Sequence, residues 1–141
     1  TAVVIHEAVQ DERPVHELSP VAIEKYIDHR LKALFFMLRE ILSLFVRQGS
    51  GILAMVNYVP QESTLLPLCS AATAAFRATT DSLVTLYQNE NIFINGFECT
   101  GGTPERFSRF ILPLLSGKAG EMSGKWYRCG GSRSASRIFR K

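Results

Sequence analysis

A chain of 141 residues with a hydrophobic fraction of 46% is the length of one domain and can bury a core of its own. No window reaches the length of uncharged apolar residues that a membrane span needs, and the first residues lack the basic, then apolar, then small-residue order of a secretory signal. The formal net charge of +3 is unevenly placed: nine basic and twelve acidic residues precede Lys118, and seven basic and one acidic follow from it.

The basic tail, residues 132–141, is set apart from a domain spanning 1–131. It shows no nucleic-acid recognition motif, so a solvated or subunit-wrapping role is expected rather than nucleic-acid binding. Cys69, Cys99 and Cys129 are odd in number and widely spaced, which points to buried or free thiols in a reducing cytoplasm. They form no CxxC pair, and His6, His16 and His29 are not spaced with them as metal ligands.

In chain order, Ala2-Val3-Val4-Ile5 is an apolar run suited to a buried parallel strand. Residues 10–18 form a polar connection. Ser19-Pro20 then opens a helix, with Ser as N-cap and Pro at the first helical position. Ile23, Ile27, Leu31, Leu34, Leu38, Ile41, Leu42 and Phe45 recur on one face of it, and Tyr26, Ala33, Phe36, Met37 and Leu44 make a second. A helix apolar nearly all round needs cover on two sides: one side the sheet, the other a second subunit or more of the same core.

Gln48-Gly49-Ser50-Gly51 is a turn by composition, and Gly51-Ile52-Leu53-Ala54-Met55-Val56-Asn57 is a second strand. Cys69-Ser70-Ala71-Ala72-Thr73-Ala74-Ala75-Phe76 begins a small-residue helix that continues through Leu83 and Leu86. Ile92-Phe93-Ile94-Asn95-Gly96-Phe97 is a third strand, which completes a βαβ unit. Thr103-Pro104-Glu105 is a helix start with cap, first-turn proline and acidic residue; Pro113 should strain or shorten that helix. A last strand follows around Trp126.

This order, a strand, a long helix, a strand, the Ala-rich helix, a strand, a helix and a strand, resembles the latter half of a short-chain dehydrogenase/reductase. The resemblance implies an α/β fold, a parallel sheet of about four strands with flanking helices, as a truncated Rossmann-like half domain. It also implies that the family's catalytic positions are occupied by Arg30, Tyr58, Cys69 and Thr73 in place of Asn, Ser, Tyr and Lys. The family phenol needs a nearby cation to serve as proton donor, and Thr73 supplies none. Tyr58 carries a hydroxyl of its own, but packing or an interface contact is its expected role. Near the cofactor, Ala8 alone agrees with the family's strand-end turn, and Cys99-Thr100 stand where Pro-Gly is usual. In the family the long helix and the last strand lie at subunit interfaces, so Phe36, Met37, Leu44 and Trp126 are expected there, and Phe76 of the Ala-rich helix is expected at an interface as well.

The family's Gly-rich phosphate loop is not in this sequence. Without a front half, the first strand is expected to be an apolar sheet edge that needs a partner, either a second copy or a complementary front-half chain. Two functions follow from the resemblance. One is a catalytically degenerate oligomerisation or interaction module with no cofactor. The other is part of an NAD(P)-dependent oxidoreductase whose nucleotide-binding half is supplied elsewhere.

Overall fold

A computed structural model describes residues 1–8, 13–59, 65–101, 103–116 and 122–130. The expected tail, residues 132–141, lies outside them. Four strands, β1 (Ala2–Glu7), β2 (Gly51–Val59), β3 (Ile92–Thr100) and β4 (Trp126–Gly130), form one sheet in the order β1-β2-β3-β4. Every neighbouring pair is parallel, as the near-continuous apolar runs of β2 and β3 require of strands covered on both faces. The chain therefore has the α/β architecture expected from its sequence.

The long helical segment begins where Ser19-Pro20 places it, with Ser19 Oγ accepting from the Ala22 N–H at 3.2 Å. It is not one uninterrupted helix. α1 (Pro20–Ile27) and α2 (Ala33–Gln48) are separated by a π-helical turn over Asp28–Lys32. A π turn holds more residues than an α turn, so the apolar stripe loses phase across it. Leu34, Leu38, Leu42 and Phe45 are buried, whereas Ile27 is exposed. Gly49 then ends α2 in the left-handed region, at φ 70°.

α2 and α3 (Pro67–Leu86) cover one face of the sheet, where Val4, Leu34, Leu38, Leu53, Met55, Phe76 and Ile94 form the larger core. α4 (Pro104–Ser116) covers the other with Ile111 against Ala54, Val56 and Phe97. α4 runs through Pro113 to Ser116, so the proline does not shorten it. Pro113 is solvent-exposed, where water can take the carbonyl that loses its partner.

The approach to β4 is held by Asn95, buried in β3. Its Oδ1 accepts from the Lys125 N–H at 3.0 Å and its Nδ2 donates to the Met122 carbonyl at 2.6 Å. Ser123 Oγ accepts from the Ile94 N–H and donates to the Ile94 carbonyl. Among the described residues β1 has a β-strand neighbour on one side only. On its α4-side face Val3 and Ile5 are 44% and 56% exposed, because α4 packs over β2 and β3 and does not reach β1.

Among the proposed interface residues, Phe36, Met37 and Leu44 are exposed on α2. Phe76 is not: it has no exposed surface and belongs to the chain's own core, because its helical phase aims it inward with Cys69, Ala72 and Thr80. Trp126 is partly exposed on β4. Its indole N–H donates to Asp81 at 2.7 Å, and the Arg77 guanidinium lies 4.8 Å from the ring centroid. Among the described residues no helix is long and apolar enough to cross a membrane.

Candidate functional site

The C-terminal ends of parallel strands are where an α/β sheet leaves a crevice for ligands. Here that end is formed by β1, β2 and the start of α3. Side chains alternate across a strand, so His6 shares the helix-covered face with Val4, and Asn57 shares it with Leu53 and Met55. His6 and Asn57 are also register partners across the β1–β2 pair, which sets them side by side.

His6 is buried and stacks on Phe76, with ring centroids 5.2 Å apart and planes 23° from parallel. Its Nε2 lies 3.4 Å from Thr73 Oγ1. The Arg30 guanidinium, carried on the π turn, donates from Nη1 to the Glu7 carbonyl at 3.2 Å and sits 5.9 Å from the Tyr26 ring centroid. Tyr26 in turn hydrogen-bonds buried Cys69; burial first, then that contact, push the phenol up to about 12. A small cavity of about 80 Å³ opens beside this group, lined in part by His6, His29, Arg30 and Phe76.

Arg30, Cys69 and Thr73 are thus gathered at one end of the sheet with His6 and Tyr26. Tyr58 is not among them. It lies on the opposite face, packed near Phe107 with ring centroids 6.2 Å apart. A one-residue step along a strand reverses the face, so the residue presented to the cleft is Asn57. Asn57 is 8% exposed, and its Oδ1 has no hydrogen-bond partner among the described residues. A buried acceptor left unpaired is costly and marks a place for a donor. β2 is apolar on both faces, so the sequence does not single out Asn57, and an apolar strand end gives no sign of the side chains that His6 will meet.

Ala8 is buried, and its N–H donates to the Tyr58 carbonyl at 2.8 Å, extending the β1–β2 ladder. Cys99 and Thr100 are not in a loop: they are the last residues of β3. The thiol of Cys99 is pushed up to about 12, first by burial and then by its neighbour Cys129. Gly101 follows β3, and the first turn of α4 is capped by Thr103 Oγ1 and carries Glu105. The Thr103 side chain holds that carboxyl below its ordinary range. An anionic first turn disfavours a phosphate at this helix end. Among the described residues no cluster of His, Cys, Asp and Glu is arranged to hold a metal.

Burial, and secondarily the charge of Arg30, lower the proton affinity of His6 below its ordinary 6.5. The unfolded chain then takes up a proton that the folded chain resists, so stability is lost as pH falls through 6.5 toward the folded value. The urea midpoint is expected to drop between about pH 7 and pH 5, and to drop less in His6→Gln. Equal pH slopes for the two proteins would remove His6 as the cause.

No protein-family model matches the sequence, and no curated protein matches it. Solved structures do match its fold. A 4-hydroxyisoleucine dehydrogenase complexed with NADH and succinate superposes with a TM-score of 0.72 at 22% identity, covering 90% of this chain and 67% of its own. An acetoin dehydrogenase from Enterobacter cloacae superposes with a TM-score of 0.72 at 15% identity, covering 89% and 61%. A short chain dehydrogenase from Mycobacterium avium does so with a TM-score of 0.71 at 18% identity, covering 99% and 53%. The likeness is one of fold, a Rossmann-like α/β sheet. The chain spans roughly half to two thirds of these structures' length.

Proposed function

We propose that this chain is a dehydrogenase-like scaffold that serves in assembly, with the proton-transfer chemistry of the short-chain dehydrogenase/reductases lost. The observation that carries the proposal is β1: unpaired along one edge among the described residues and bearing exposed Val3 and Ile5. Its occupant is a second copy of this chain, because an exposed apolar strand edge pairs readily with another strand. The site supports the loss of chemistry. Thr73 carries no charge to assist a donor, Arg30 is committed to the Glu7 carbonyl, and the Tyr26 phenol is a weaker acid than a free one.

Light scattering over a range of concentrations tests assembly. The expected result is a species larger than the monomer that Ile5→Lys dissociates without loss of helical signal, because a charge on an exposed strand edge opposes pairing. A monomer at every concentration, unchanged by Ile5→Lys, would refute the assembly role for this chain alone.

A second proposal, that the chain is part of an NAD(P)-dependent oxidoreductase completed elsewhere, is favoured by the NADH complex of a structurally similar dehydrogenase. Titration with NADH and NADPH, followed through Trp126 emission, separates the two. Saturable quenching at micromolar nucleotide supports the oxidoreductase and counts against the scaffold.

A further inference from the structure

The α4-side face of the β3–β4 pair holds two cysteines in register. Cys99 and Cys129 are direct partners across the parallel ladder, so their side chains leave the sheet on the same side, next to each other. Two residues upstream on that face, the register pair Phe97 and Tyr127 already touch, stacked with ring centroids 5.1 Å apart. Adjacent strands are spaced by ~4.8 Å, inside the Cα separation of roughly 4.4–6.8 Å that a disulfide spans. β4 lies at the end of the strand order among the described residues, so it can shift to bring the two Cβ atoms closer.

We propose that Cys99 and Cys129 form a dithiol that a hydroperoxide oxidises to an intramolecular disulfide, fastening β4 to β3. The two thiols have different parts in this. Cys129 is only partly buried and Cys99 is fully so, so oxidant meets Cys129 first. Its sulfur attacks a peroxide oxygen, the O–O bond breaks, and sulfenic acid forms as one water (or an alcohol, from an organic hydroperoxide) is released. The Cys99 sulfur then attacks the sulfenyl sulfur. The S–O bond breaks, the Cys99 proton leaves with the hydroxide as water, and the S–S bond closes. The pair loses two electrons and the hydroperoxide gains them. Burial keeps Cys99 protonated and slow to react by itself, which suits a resolving thiol rather than an attacking one. Cys69 takes no part, because it lies on α3, across the sheet.

The test is a thiol count on the reduced chain after hydrogen peroxide, with alkylation under denaturing conditions and peptide mapping. Free thiols are expected to fall from the three of the reduced chain to one, with a peptide pair linking Cys99 to Cys129 and no change in molecular size. Cys69→Ser should keep the link, and Cys99→Ser should leave a dimedone-reactive sulfenic acid at Cys129. Three thiols remaining, a link through Cys69, or a link between chains would overturn the proposal. The wild-type map decides the matter even if a variant does not fold.

Discussion

Phe76→Ala is expected to cost about 3–5 kcal/mol of stability, the range for deleting a fully buried aromatic side chain. The ring has no exposed surface, stacks on His6, and joins the core formed by Val4, Leu53 and Met55. Its removal leaves a cavity at the point where α3 meets β1 and β2. Phe36→Ala provides the contrast: that ring is 62% exposed on α2, and its loss should change the stability of the isolated chain by less than about 0.5 kcal/mol. Urea denaturation of both variants at low concentration checks the pair. The reverse ranking would mean that α3 presents Phe76 to a partner and not to the sheet. If α2 is an assembly surface, Phe36→Ala should instead weaken association at high concentration.

Gly96→Ala is expected to destabilise by about 1–3 kcal/mol, the range for forcing extra volume into a packed core. A Cβ at Gly96 would lie 2.4 Å from the Trp126 ring, inside any real contact distance. The ring has little room to retreat. Asp81 holds its N–H and the Arg77 guanidinium covers it, while Arg77 and Arg128 are both paired with Glu98. The variant should show a lower urea midpoint and a shifted Trp126 emission. Pairing it with Trp126→Leu should recover part of the loss, because neighbouring substitutions that relieve one clash are not additive. An unchanged spectrum and midpoint would mean that the indole does not rest on this glycine.

Both variants act where a helix face and a strand face meet, and such meetings set the limit of what is readable from residues alone. The four parallel strands and the caps at Ser19 and Thr103 follow from local chemistry: runs of apolar residues, a hydroxyl before a first-turn proline, glycine where a turn must reverse. The resemblance located Arg30, Cys69 and Thr73, and the fold brings all three to one end of the sheet. Tyr58 packs on the α4 side while Asn57 faces the cleft, and a position after a strand's apolar run says nothing of which face it serves until the register with β1 is known. The π turn was not legible either. Asp28–Lys32 carries no glycine or proline to announce a change of pitch.

The sequence by itself determined the order and type of the elements, since periodicity, capping and turn chemistry act over a few residues at a time. It also determined which functional groups are present to work with. The tertiary structure alone decided their company: that Phe76 lies under His6 and not at a surface, that Asn57 rather than Tyr58 faces the cleft, and that Cys99 stands beside Cys129. Those outcomes depend on strand register and helix phase, in which residues far apart in the chain become neighbours, and no local preference encodes the pairing.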